Sequence, residues 1–83
     1  NSIEANSFNC IVANIQADVL MTHSDRLTRL LSKNGNLILS GILDYEMNEV
    51  IKTFQKQLIT NNLNGKTRTR QLNEWCAIHI ELL

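Results

Sequence analysis

The strongest constraint on the fold is a pair of segments, residues 8–15 and 36–43, that are apolar on both alternating sets. In the first, Phe8, Cys10 and Val12 interleave with Ile11, Ala13 and Ile15. In the second, Leu37 and Leu39 interleave with Ile38 and Ile42. A strand with one wet face alternates apolar and polar residues, so these segments predict strands buried on both faces, the habit of parallel sheets. Parallel neighbours need a long crossover, usually a helix. Between them Leu20, Leu27 and the Leu30/Leu31 pair recur at helical spacing, while Asp25, Arg26, Arg29 and Lys33 mark wetter positions. A helix over residues 17–33 follows. Asn34-Gly35 reads as its stop, because glycine takes the left-handed conformation cheaply.

Downstream, Met47, Val50, Ile51, Phe54 and Leu58 form one stripe. It predicts a helix over residues 45–58, with Asp44 as N-cap and Glu46 and Glu49 near the positive end. Residues 61–65 are loop-like, and residues 66–72 and 75–82 each alternate, with Asn73-Glu74 as a tight hairpin connection between them. The order strand, helix, strand, helix, strand, strand predicts an α/β fold. A βαβ unit with a right-handed crossover is closed by a hairpin that adds an antiparallel strand.

Composition narrows the function classes. Eighty-three residues make one domain at most, and eight basic and eight acidic side chains cancel. No global field draws the chain to nucleic acid or to an anionic membrane, and no direct nucleic-acid partner is expected. Purely apolar runs reach four residues at most, far short of the ~20 that span a bilayer, so no membrane partner is expected either. Residues 1–6 are polar and carry Glu4 rather than a basic cluster, so no secretory leader is expected. The first residue is not Met, which suggests a piece of a longer protein. Cys10 and Cys76 each sit in an apolar run, as small buried hydrophobes of a reducing compartment do. With no CxxC and no Cys/His cluster, no metal site is expected.

Three segments carry a family resemblance. Asn14-Ile15-Gln16-Ala17-Asp18 follows an apolar strand. Gly35-Asn36-Leu37-Ile38-Leu39-Ser40-Gly41-Ile42-Leu43 comes next, with Glu49-Val50-Ile51 after it, and Glu74-Trp75-Cys76-Ala77 opens the final strand. In this order and spacing they resemble the signature segments of the bacterial methyltransferases of the eleventh large-subunit ribosomal protein, the family often called PrmA. The resemblance covers residues 8–82. It implies the C-terminal half of a Rossmann-like class I methyltransferase sheet, strands four to seven with the last strand antiparallel. Residues 1–83 are then a partial S-adenosylmethionine-dependent methyltransferase domain. The Gly-rich loop and the acidic ribose ligand would lie upstream, since Gly35, Gly41 and Gly65 cannot make that loop.

The implied activity is transfer of methyl groups from S-adenosylmethionine, the cosubstrate of the full-length enzyme, to amino groups of a ribosomal protein in the cytoplasm. The isolated chain is expected to be inactive. The implied sheet order puts the second strand between those of Cys10 and Cys76. Two strand spacings of about 4.8 Å exceed the ~7 Å a disulfide tolerates, so both thiols are expected to be free. Both predicted helices would cover one face of the sheet. The other face and the edge of the first strand would leave an apolar patch, through which the isolated chain is expected to self-associate.

Methyl transfer from a sulfonium to an amine is a direct displacement that needs alignment rather than a metal or a covalent nucleophile. A side-chain amide at the end of a central strand suits the task, and Asn14 holds that place as the candidate catalytic and cofactor-contacting residue. It could instead cap the following helix. Asp18 could position substrate or assist proton removal, or simply complement the helix dipole. Ser40 and Gly41 could line the same crevice, with Gly41 admitting close backbone approach. Trp75 could wall the substrate entrance, or pack as a strand-opening aromatic. His23 and His79 have no partner at catalytic spacing, so no acid–base dyad is expected. Lys66, Arg68 and Arg70 could touch ribosomal RNA or an acidic substrate, or protect a sheet edge. Two other readings stand beside the first: a non-catalytic α/β interaction module, and a class I methyltransferase acting on nucleic acid or a small molecule.

Overall fold

The computed structural model describes residues 7–83, and the polar opening, residues 1–6, lies outside them. In chain order come β1 (Phe8–Asn14), α1 (Ala17–Thr22), α2 (Ser24–Leu30), β2 (Leu31–Leu43), a 3-10 turn (Asp44–Glu46), α3 (Met47–Thr60), β3 (Gly65–Leu72) and β4 (Trp75–Leu82). The strands form one sheet in the order β1-β2-β4-β3. β1 and β2 are parallel, and β4 runs antiparallel to both of its neighbours. The α/β class, the antiparallel last strand and the place of β2 between β1 and β4 are as expected from the sequence.

The core lies between the sheet and a single helical layer. Leu37, Leu39, Ile42, Ile78 and Ile80 meet Leu20, Val50, Phe54 and Leu58, all buried. In β4 the alternation is strict: Cys76, Ile78, Ile80 and Leu82 are buried, and Ala77, His79 and Glu81 are half-buried on the opposite face. That opposite face has no helix of the described residues on it. Val12, 66% exposed, belongs to it through its pairing with Ile38, which pairs in turn with His79. The face is less apolar than the sequences of β1 and β2 suggest, and β1 is an edge strand, mostly exposed. His79 Nε2 lies 2.7 Å from Asn36 Oδ1, and the cross-strand partners of Ala77, His79 and Glu81 are Arg70, Arg68 and Lys66.

The predicted helix over residues 17–33 requires correction. It breaks at His23 into α1 and α2 and ends at Leu30. Hydroxyl groups bond back to helix carbonyls around the break: Thr22 to Asp18 O at 2.9 Å and Ser24 to Met21 O at 2.8 Å. Such back-bonding competes with the regular ladder and bends helices. It also lets the helical layer bury Ser24 and Thr28, the latter donating to Ser24 O and Asp25 O. Leu31 belongs to the sheet, not to the helical stripe.

Asn34-Gly35 is no helix stop but part of an irregular entry to β2. Phe8 pairs with Leu31 and Cys10 with Asn36, so three more residues of β2 than of β1 lie between these pairs. Asn34 carries the positive φ of 63°, and Gly35 is needed for another reason: a Cβ there would stand 2.7 Å from Ser32 O. The second helix is preceded by the 3-10 turn, and Asp44 does not cap it through its side chain. Glu46 Oε1 accepts the Leu43 N–H instead, at 3.0 Å. The hairpin turns at Asn73, which supplies a φ of 57° where glycine is the commoner choice.

Candidate functional site

β1 ends on Asn14, which pairs with Ser40 of β2. Ile15 and Gln16 then turn the chain into α1, whose first turn carries Asp18. The Asp18 carboxylate accepts the Val19 N–H at 2.9 Å. Opposite Asn14, β2 bulges: Leu39 pairs with Ile78 and Ile42 with Cys76, leaving one extra residue in β2. Bulges of this kind bend a strand and re-aim its side chains. Gly41, with φ of 76°, makes the bend. Trp75 opens β4 beside Leu43 and is 51% exposed, so it is not packed into the core.

These elements enclose two adjoining clefts. One, of about 500 Å³, is lined by Asn14, Ile15, Gln16, Ser40, Gly41 and Trp75. The other, of about 420 Å³, is lined by Gln16, Ala17, Asp18, Gly41, Leu43, Glu46 and Trp75. Gln16, Gly41 and Trp75 border both. The five residues named from the sequence for the reaction site (Asn14, Asp18, Ser40, Gly41 and Trp75) therefore meet at one end of the sheet, beyond the carboxyl end of β1, where open α/β sheets bind ligands.

Gln16 and Glu46 are additions. Gln16 sits inside the same five-residue signature as Asn14, so its position was available, but no chemistry pointed to it. Glu46 comes to the cleft because its bond to the Leu43 backbone fixes the turn after β2. The Asn14 side chain makes no hydrogen bond to a described residue, and α1 has Gln16, not Asn14, at its N-cap position with no side-chain cap bond. The helix-capping alternative for Asn14 is not what this side chain does. Its exposed side chain borders the cleft with Gly41, Ile15 and Trp75.

The remaining polar groups lie elsewhere. His23 is exposed between α1 and α2, and His79 is engaged with Asn36 on the helix-free face. Lys66, Arg68 and Arg70 are exposed along the edge strand β3, and Arg68 and Arg70 border a separate groove with Ile38, Ala77 and His79. Among the described residues no group of three His, Cys, Asp or Glu side chains is placed to hold a metal, and no helix is long and apolar enough to cross a membrane. The expectation that both cysteines are buried holds for Cys76 on β4 and fails for Cys10, which is exposed on the edge strand β1; β2 separates them. Burial, and secondarily the Asp44 carboxylate, pushes the Cys76 thiol up.

Comparison with known proteins gives a consistent picture. The family model described as ribosomal protein L11 methyltransferase (PrmA) matches residues 1–82. The ribosomal protein L11 methyltransferase of Brucella suis (strain ATCC 23445 / NCTC 10510) is 35% identical over 74 residues, 89% of this chain and 24% of that protein. The one from Caldicellulosiruptor saccharolyticus is 31% identical over 71 residues, 86% of this chain and 22% of that protein. A crystal structure of ribosomal protein L11 methylase from Lactobacillus delbrueckii subsp. bulgaricus superposes with a TM-score of 0.67 at 25% identity, covering 87% of this chain and 35% of that one. The chain spans about a quarter of the length of these curated relatives.

Proposed function

We propose, since this chain belongs to the ribosomal protein L11 methyltransferase family, that it forms the later half of a catalytic domain that moves methyl groups from S-adenosylmethionine to amino groups of a ribosomal protein in the cytoplasm. The observation that carries this reading is the Asn14 carboxamide, unbonded to any described residue and open to the cleft beyond β1.

The residues present fit the reacting end of the cofactor: an amide with free hydrogen-bonding capacity stands beside the apolar faces of Ile15 and Trp75. They do not supply the Gly-rich loop and the acidic ligand of its ribose. Gly35 is taken up by the Ser32 carbonyl, and Gly65 by Leu58 and Ile80, whose side chains would lie 3.0 and 3.2 Å from a Cβ there. Those contacts come from elsewhere in the full-length protein, and the isolated chain is inactive. When bound, S-adenosylmethionine supplies an electrophilic methyl carbon on a sulfonium.

The Asn14 carbonyl accepts a hydrogen bond from the incoming neutral amine and aims its lone pair, so the nitrogen–carbon bond forms as the carbon–sulfur bond breaks. The surplus ammonium proton leaves to solvent. Ser40 and Gly41 form the floor and Trp75 the wall that keep the amine in line. Asp18, bordering the second cleft, draws in cationic amines, which lose a proton to solvent before the neutral nitrogen attacks.

The test is methyl transfer by the full-length protein from radiolabelled S-adenosylmethionine, offered large-subunit ribosomal proteins, ribosomal RNA and small amines together. Label is expected in amino groups of a ribosomal protein, and none with the isolated chain. Label confined to RNA or to a small molecule would overturn the reading in favour of a different methyltransferase.

A further inference from the structure

We propose that Gly41 is a positioning residue for Asn14, kept free of a side chain so that the Asn14 carboxamide can occupy the place where a Cβ would stand. This rests on the reading of Asn14 given above.

Backbone conformation alone does not explain the glycine. Four described residues have positive φ: Asn34 at 63°, Asn62 at 58°, Asn73 at 57° and Gly41 at 76°. Asparagine visits the left-handed region at small cost, and this chain uses it at every such position but one. What separates Gly41 from the others is its neighbour. A Cβ built on Gly41 would lie 2.5 Å from Asn14 Oδ1, closer than real Cβ contacts come, and 3.7 Å from Asn14 Cγ. The bulge that contains Gly41 brings β2 under the end of β1 at the very pair, Asn14 and Ser40, that closes the parallel register.

The colliding atom is the far end of an exposed side chain, not backbone. A side chain at position 41 therefore leaves the fold in place and turns the Asn14 carboxamide out of its rotamer, away from the cleft. The consequence falls on catalysis, because misplacing an aligning group by about 1 Å can cost on the order of 100-fold in rate.

The experiment is a double-mutant cycle in the full-length protein, with Gly41→Asn, Asn14→Ala and both together. Gly41→Asn keeps a residue type the chain already uses at positive φ while adding the Cβ. It should lower kcat roughly 100-fold, with the KM for S-adenosylmethionine within about threefold of the starting protein. In the Asn14→Ala background the same change at position 41 should leave kcat within about twofold. Additive losses, or a near-normal kcat for Gly41→Asn while Asn14→Ala is impaired, would overturn the positioning role and leave that of Asn14 intact. A near-normal kcat for Asn14→Ala would remove both. If Gly41→Asn fails to fold, the double variant decides: recovery of folding supports the contact, and persistent misfolding overturns it.

Discussion

Replacing Asn14 by alanine in the full-length protein separates chemistry from stability, because the structure gives its carboxamide nothing to hold. It bonds to no described residue and is not the N-cap of α1. Its loss should therefore change stability by no more than about 0.5 kcal/mol, as for other exposed substitutions, against the ~1 kcal/mol of a lost helix cap. Turnover is another matter. An orienting hydrogen bond made at the reacting nitrogen acts in the transition state, where a preorganised donor or acceptor is worth about 2–4 kcal/mol. At tenfold per 1.36 kcal/mol, kcat should fall about 30- to 900-fold. Affinity for S-adenosylmethionine should fall much less, since most of its contacts lie elsewhere. Initial rates with the cofactor varied, and thermal melting of the same preparation, give both numbers. A melting temperature within about 2 °C of the starting protein is expected. Normal turnover with a clearly lowered melting temperature would refute the reasoning and return Asn14 to a structural role.

Two further outcomes follow from the strands. Thiol probes should modify Cys10, exposed on β1, in the native chain and reach Cys76 only on unfolding, because burial and a raised pKa both suppress its thiolate. The elevated pKa also means that Cys76 contributes stability below the free thiol's value of about 8.5, lost as pH rises through the folded value. Denaturing, non-reducing titration should find two thiols, and finding none would contradict the strand order. The isolated chain should self-associate through β1 and its bare face, since β1 carries no charged residue and exposes Val12, whereas the opposite edge is guarded by Lys66, Arg68 and Arg70. Sedimentation equilibrium should show association that Val12→Lys abolishes, and a monomer at high micromolar concentration would rule the patch out.

Patterns that report one-dimensional periodicity were legible in the sequence. The stripe of Met47, Val50, Ile51, Phe54 and Leu58 packs as predicted, and β4 starts and ends where its alternation does. The first helix was not legible at its end, because Leu30 and Leu31 continue the helical spacing while the chain between them passes into the sheet. Ser24 and Thr28 were no part of the leucine pattern, yet they are buried, since each hydroxyl donates to a carbonyl three or four residues back. Asn14, Asp18, Ser40, Gly41 and Trp75 were named from the chemistry of methyl transfer and their places in the segments that carry the resemblance, and the pairing of β2 with both β1 and β4 accounts for their meeting. The bulge at Ser40 and Gly41 overturns one reading of the alternation: it moves Ile42 from the set of Ile38 to the buried set of Leu37 and Leu39.

The place of β4 in the sheet has a consequence for the order in which the molecule can come into being. It is the last of the four strands in the chain, yet it lies between β2 and β3 and gives Cys76, Ile78, Ile80 and Leu82 to the core. During synthesis, at about 5–20 residues per second, β2 has one edge waiting until the hairpin returns. A nascent chain that stops before β4 would lack Cys76, Ile78, Ile80 and Leu82 beneath the helical layer. The core described here is therefore completed only once β4 has been translated. It is in that interval that a chaperone would find β2 unpaired, and that a premature stop codon anywhere before Leu82 would do its damage.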